Sequence, residues 1–232
     1  MNVLVKICGI NSAEAADAAV RAGADLAGLV FHPASPRHLS LDAARALAER
    51  MRGRLRLVAL LADADDATIA AAMAAVQPVY IQLHGHETPE RTSQVRARFG
   101  LPVIKAIAVA EAADFAAVPE YEIAADILLF DAKAPDGAPR PGGAPRPGEA
   151  PRLGGHGAPF DWQLLRGRSF SRPWLLAGGL TPANVARAIA SASAPGVDVS
   201  SGVETAPGVK SVQLIADFIA AARSAHLAEA RS

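Results

Sequence analysis

The chain has 232 residues, 51% of them apolar, and its 23 Lys and Arg balance 23 Asp and Glu to zero formal charge. No electrostatic footprint of the clustered positive charge that nucleic-acid phosphates demand appears, and a single cysteine excludes an internal disulfide framework. No apolar run approaches the roughly 20 residues of a membrane span and no basic-then-apolar leader opens the chain, so a cytoplasmic protein acting on small molecules, with neither nucleic acid nor membrane as partner, is the expectation.

Short apolar runs of strand length fall at 3–8, 26–31, 55–61, 79–83, 103–108, 126–131, 173–177 and 197–200, each bounded by Gly, Pro or polar residues as buried parallel strands are. Helical patterns lie between them. The spacing predicts helices over 12–22, opened by Ser12, and over 41–51, opened by Ser40. It predicts a third over 65–76, whose acidic start suits a helix N-terminus, and a fourth over 88–99, where Thr88-Pro89 starts and Gly100 stops. Further helices are predicted at 111–117, 161–165, 181–190 (Thr181-Pro182 as cap and first position) and 211–223. Strict alternation implies a parallel sheet with helical crossovers. An open doubly wound sheet is possible, but eight repeats in this length fit a closed (β/α)8 TIM barrel better. One composition regime runs throughout, so residues 1–232 are read as a single domain.

The exception is 134–158, which carries Gly-Ala-Pro-Arg-Pro-Gly twice in tandem, at 137–142 and 143–148. Proline removes donors, glycine raises chain entropy, and little apolar surface is available to bury. A long Pro/Gly-rich insertion after strand six, mobile and with local polyproline character, is expected there.

Several residues could carry chemistry. Val3-Leu4-Val5-Lys6-Ile7-Cys8-Gly9 ends a strand in the chain's one thiol. Most free cysteines are small buried hydrophobes. Strand alternation, however, puts Lys6 on the face of Cys8, where an ammonium would favour thiolate; Lys6 could instead pair with an interior acid. The run at 126–131 ends in Asp131, either a loop cap or a proton donor held partly dry. Gly178-Gly179, before Leu180-Thr181-Pro182, and Ser200-Ser201-Gly202, after Val197-Asp198-Val199, are turns with bare N–H groups after strands seven and eight. Barrels commonly hold phosphate there. Arg37, in Ser35-Pro36-Arg37, could grip a carboxylate bidentately, and His84, ending Gln82-Leu83-His84, is a pocket hydrogen-bonder or a structural residue. The histidines and the cysteine lack metal-ligand spacing, and neither a P-loop nor a dinucleotide fingerprint is present.

The ordered set Lys6-Ile7-Cys8-Gly9-Ile10, Ser35-Pro36-Arg37, Gln82-Leu83-His84-Gly85, Asp131, Gly154-Gly155-His156-Gly157 with Phe160-Asp161-Trp162, Ala177-Gly178-Gly179-Leu180 and Asp198-Val199-Ser200-Ser201-Gly202-Val203-Glu204 resembles the phosphoribosylanthranilate isomerases of tryptophan biosynthesis over nearly the whole chain. The resemblance implies a (β/α)8 barrel and an Amadori rearrangement of an N-glycosyl anthranilate phosphate without cofactor or metal. It implies Cys8 as general base, Asp131 as general acid and Arg37 as holder of the anthranilate carboxylate. Gly178, Gly179, Ser200, Ser201 and Gly202 would hold the sugar phosphate, with Lys6, His84 and Asp198 as pocket support. The partner expected is a small phosphorylated substrate, the assembly a monomer or homodimer. Two departures stand out: His156 where the family usually has Thr, and an insertion after Asp131 longer than usual by about the length of the repeats. Three rivals remain open. A histidine-pathway aminoaldose isomerase would use aspartate at the first strand end and need two phosphate sites. A non-catalytic barrel would bind a phosphorylated metabolite through anchors alone. An interaction scaffold would use the Pro-Arg-Pro loop.

Overall fold

A computed structural model describes residues 3–133 and 160–229, with the side chains of 226–229 left aside. The Pro/Gly-rich stretch predicted as a mobile insertion, 134–158, lies outside them, as does His156.

Eight parallel strands close into a barrel in sequence order: β1 (Leu4–Cys8), β2 (Leu26–Val30), β3 (Arg56–Leu61), β4 (Tyr80–Leu83), β5 (Val103–Val109), β6 (Ile127–Ala132), β7 (Trp174–Leu176) and β8 (Gly196–Val199), with β8 pairing back onto β1. Each strand is a short apolar run too buried on both faces for an edge, and closure removes the edge altogether. Outside lie α1 (Ala13–Ala22), α2 (Leu41–Met51), α3 (Asp66–Val76), α4 (Pro89–Phe99), α5 (Val118–Ala124), α6 (Val185–Ala192) and α7 (Val212–Glu229). Their starts follow local chemistry. Ser12, Ser40, Asp65 and Thr88 each accept a backbone N–H from the first helical turn, and Gly100 closes α4 in the left-handed region at φ 66°.

Three predicted helices differ. The 111–117 segment forms a short 3-10 turn, Ala112–Phe115, with α5 beginning afresh at Val118. The Asp114 carboxylate takes the N–H groups of Ala110 and Glu111 and closes that turn early, and Pro119 sits in the first turn of the next helix, where proline is tolerated. The 181–190 helix becomes regular only at Val185, because Asn184 before it stands at φ −119°; the Asn184 side chain accepts the Thr181 N–H at 2.7 Å and the Thr181 carbonyl accepts from Val185 N (3.0 Å), so the predicted start survives as an irregular first turn. The 161–165 segment is a 3-10 turn, Trp162–Leu165, capped by Asp161. After β8 a 3-10 turn, Ser201–Val203, leads into a hairpin, β9 (Glu204–Ala206) and β10 (Val209–Lys210), where the sequence reading places a turn.

Alternation along the strands divides the side chains. Val5, Ile7, Ala27 and Leu29 join the large core between barrel and helices. Leu26, Val58, Ile104, Leu129 and Leu175 fill the barrel interior, and Cys8, Val30 and Leu60 cluster separately, two residues further along their strands. The barrel interior is therefore filled by apolar side chains below, and its C-terminal mouth is where strand ends deliver the polar residues.

Candidate active site

The mouth holds a cavity open to solvent. Cys8, Arg37, His84, Asp131, Gly178, Gly179, Asp198, Ser200, Ser201 and Gly202 all line it. Of the site residues read from the sequence, only Lys6 stands back: its side chain is fully buried one layer beneath, inside the barrel.

Lys6 Nζ donates to Asp198 Oδ1 at 2.9 Å, so the expectation of an interior acid partner is the one realised. Burial pulls the Lys6 ammonium down, but Asp198 and Cys8 beside it outweigh burial and hold it above the ordinary lysine value. For Cys8 the balance runs against the thiolate: burial pushes the thiol up, the charges of Lys6 and Lys210 pull it down, Asp198 opposes them, and the net direction is up. Lys6 thus acts on Cys8 in the expected sense, favouring the thiolate, while desolvation and Asp198 oppose it. A glycine makes the room: a Cβ at Gly28 would stand 2.9 Å from Cys8 Sγ and 3.2 Å from Lys6 Nζ.

Across the cavity, Asp131 lies one residue before the end of β6. Its Oδ1 accepts the Ala132 N–H at 2.8 Å and its Oδ2 lies 3.1 Å from His84 Nε2. Behind, Gln82 Nε2 lies 2.9 Å from His84 Nδ1. With the amide donating, Nδ1 is the acceptor and the ring proton sits on Nε2, aimed at Asp131. His84 is therefore a hydrogen-bonder of the cavity wall. Outside the barrel a second buried pair fixes the loop carrying it. Glu87 accepts from Lys105 Nζ (2.8 Å), Asp63 N (2.8 Å) and Gly85 N (2.9 Å), tying the β3 and β4 loops together.

The two glycine-built turns meet. Gly178 has φ 82°, and a Cβ at Gly202 would fall 1.7 Å from the Leu180 carbonyl oxygen, so only glycine fits that approach. Asn184 Nδ2 donates to Gly179 O (2.9 Å) while its Oδ1 takes the Thr181 N–H, which fixes the first turn against its helix. Opposite, Arg37 is already engaged: Nε and Nη2 donate to Glu204 Oε1 and Oε2, each at 2.7 Å.

Sequence reasoning missed the lining residues His32 and Ser35, the partners Gln82, Glu87 and Lys105, and the roles of Glu204 and Lys210. Gln82 was within reach, since it lies two residues before His84 on the same strand face. Burial holds His32 below the usual imidazole value. No cluster of metal-ligating side chains occurs among the described residues, nor any helix long and apolar enough to cross a membrane.

A closed parallel barrel whose strand ends bring a thiol, a carboxyl group, an arginine and two glycine turns to one mouth defines a (β/α)8-barrel enzyme. Residues 5–221 match the family model for N-(5'-phosphoribosyl)anthranilate (PRA) isomerase. The N-(5'-phosphoribosyl)anthranilate isomerase of Rhodopseudomonas palustris (strain HaA2) is 51% identical over 224 residues, 97% of each chain. That of Beijerinckia indica is 50% identical over 233 residues, covering 100% of this chain and 99% of the relative. The crystal structure of the Thermotoga maritima phosphoribosyl anthranilate isomerase superposes with a TM-score of 0.81 at 35% identity, over 96% of this chain and 99% of that one. Another phosphoribosyl anthranilate isomerase structure, in complex with reduced 1-(o-carboxyphenylamino)-1-deoxyribulose 5-phosphate, superposes with a TM-score of 0.77 at 32% identity, over 96% and 99%. The chain belongs to the N-(5'-phosphoribosyl)anthranilate isomerase family, aldose–ketose isomerases of tryptophan biosynthesis.

Proposed function

We propose that this chain converts N-(5-phosphoribosyl)anthranilate to 1-(2-carboxyphenylamino)-1-deoxyribulose 5-phosphate, with Asp131 as general acid and Cys8 as general base. The observation that carries the reading is the shared cavity: sulfur and carboxyl group line it together, with Arg37 and the two glycine turns also in its wall. Asp131 protonates the ribose ring oxygen. The bond from that oxygen to C1 breaks, and the anthranilate nitrogen lone pair closes to an iminium. Cys8, as thiolate, takes the proton from C2, and the electrons flow to the nitrogen to give an enolamine. Reprotonation at C1 and loss of the C2 hydroxyl proton leave the ketone. The carbon at C1 is reduced and that at C2 oxidised, so only protons move between enzyme and substrate.

Each positioned proton transfer contributes about 10²–10⁴-fold. Arg37 receives the anthranilate carboxylate, and the backbone N–H groups of Gly178-Gly179 and Ser200-Ser201-Gly202 receive the phosphate. Anchored at both ends, the pentose is held across the reactive pair, so orientation supplies a further part of the rate. His84 holds the Asp131 carboxyl group through Oδ2, and Lys6 and Asp198 close the barrel floor as a neutral pair. The known relative with a bound reduced product analogue supports a ligand of this kind, one that carries both a carboxyphenyl group and a phosphate.

The test is turnover of freshly made phosphoribosylanthranilate, followed as loss of its fluorescence. Wild-type conversion with retention of phosphate in the product supports the reading, and absence of conversion by folded protein overturns it. Parallel assays of Cys8→Ser and Asp131→Asn assign the base and the acid.

A further inference from the structure

The carboxylate anchor does not stand alone. Glu204, the first residue of β9, has its side chain 3% exposed, and its carboxylate accepts four N–H donors: Arg37 Nε (2.7 Å) and Lys210 Nζ (2.7 Å), with Arg37 Nη2 (2.7 Å) and Gly208 N (3.1 Å) on the other oxygen. Four donors fill the lone-pair positions that a carboxylate offers. Lys210 is equally committed. Its ammonium is fully buried and spends its three protons on Glu204 Oε1, Ser200 O (2.9 Å) and Ser200 Oγ (3.2 Å). Only Arg37 has donors left: two of its five N–H groups go to Glu204, and three remain on the Nη1 and Nη2 end.

Charge points the same way. One carboxylate lies between one guanidinium and one ammonium, so the cluster carries a surplus of one positive charge at the cavity wall, and its unused donors belong to Arg37. The neighbouring Lys6–Asp198 pair is neutral and does not cancel it. The surroundings leave Arg37 little freedom. A Cβ at Gly9 would fall 2.5 Å from Arg37 Cδ, and one at Gly208 would fall 2.5 Å from the Pro36 carbonyl oxygen. Asn11 Nδ2 binds the Gly208 carbonyl at 2.8 Å, clasping the β1 loop to the hairpin.

We propose that Glu204, seated on the β9–β10 hairpin and locked by Lys210, is a positioning residue that turns the open edge of Arg37 toward the substrate's carboxylate and, through Lys210 and Ser200, sets it at a fixed distance from the phosphate turn. This rests on the reading in which Arg37 receives that carboxylate, and it adds the device that aims it. The hairpin works as a gauge between the two anchors: one ammonium touches both the carboxylate that holds Arg37 and the residue that opens the Ser200-Ser201-Gly202 turn.

The test is a double-mutant cycle on KM, with Arg37→Ala, Glu204→Gln and the pair. It is joined by inhibition constants for two ligands, the reduced aminoketose phosphate product with its ring carboxylate and the same compound without it. Misaiming an anchor costs up to about 100-fold, and the loss from Glu204→Gln is expected mainly in KM, about tenfold, with the preference for the carboxylate-bearing inhibitor falling by the same factor. In the Arg37→Ala background the same change should add less than about twofold, because interacting residues are non-additive. Glu204→Asp, which keeps the charge but withdraws it by one methylene, should fall between. A purely structural Glu204 would weaken both inhibitors equally, or keep its full cost without Arg37, and either result overturns the proposal. If Glu204→Gln fails to fold, the Glu204→Asp cycle decides by the same criteria. If Arg37→Ala leaves KM and inhibitor preference unchanged, the assignment of Arg37 to the carboxylate fails instead, a result distinct from failure of Glu204.

Discussion

The two walls of the cavity treat their reactive groups in opposite ways. On the β1/β8 side Cys8 is 5% exposed beside a Lys6–Asp198 pair whose lysine is fully buried, a drier wall with its charges spent on one another. On the β4/β6 side Asp131 and His84 are 15% and 16% exposed, and each is held by a neutral hydrogen bond from protein: Ala132 N–H to Asp131, and the Gln82 amide to His84. Desolvation keeps the free thiol protonated, whereas the wetter wall orients its carboxyl group by directed donors. Acid and base assignments separate when environments push two groups apart. In the proposed reaction the thiolate has to form with substrate in place, because burial raises the Cys8 thiol in the resting pocket.

The sharpest way to break that contrast is to remove each reactive atom. Cys8→Ser and Asp131→Asn should each lower kcat by about 10²–10⁴-fold, measured by fluorescence loss under saturating substrate. Equal rates in either variant would take that residue out of the chemistry. Next is the dry wall itself. Lys6→Met leaves Asp198 without its partner in the barrel floor, and breaking a buried pair from one side costs about 3–5 kcal/mol, which urea titration should report. A loss under 1 kcal/mol would mean that water reaches the floor.

On the wetter wall, Gln82→Leu removes the donor to His84 Nδ1 and frees the ring to change tautomer. About a tenfold fall in kcat, within the range of a weakened acid catalyst, is expected, with the fold unchanged by circular dichroism; an unaffected rate would show that the tautomer does not matter. The smallest effect is on titration. A thiol raised by burial is less ionised than a free one at every pH, so iodoacetamide should label Cys8 with a midpoint above the ordinary 9.0. Lys6→Met, by deleting a charge that pulls the thiol down, should move that midpoint further up. A midpoint below 9.0 in the wild type would reverse the comparison of the two walls.

Most of the barrel was legible because its signals are local. Ser40, Thr88-Pro89 and Gly100 act on their own turns, and the strands are uninterrupted apolar runs whose bounds shifted by only a residue or two. Legibility failed where a distant side chain decides. Thr181-Pro182 has the form of a helix start, yet the Asn184 side chain also holds the Gly179 carbonyl, and with Asn184 at φ −119° the first turn stays irregular. The residues after Ser200 bend into a hairpin because Glu204 meets Arg37, 167 positions earlier, and no periodicity records that partner. Within the site, strand alternation was enough to bring Lys6 to Cys8, and the same rule applied to Gln82-Leu83-His84 would have found Gln82. It could not tell which way the thiol shifts, since that is set by the depth of burial and by Asp198 on the far strand. Glu87 and Lys105 pair outside the barrel, where neither end carries a motif.

The contact between Gly202 and the Leu180 carbonyl has an implication for redesign. Because no side chain fits between them, the seventh and eighth strand ends share one mould, and neither half can be reshaped alone. Attempts to reshape this wall of the cavity by mutating position 202 would distort both halves together. Variation of the seventh and eighth strand ends should therefore leave position 202 as glycine.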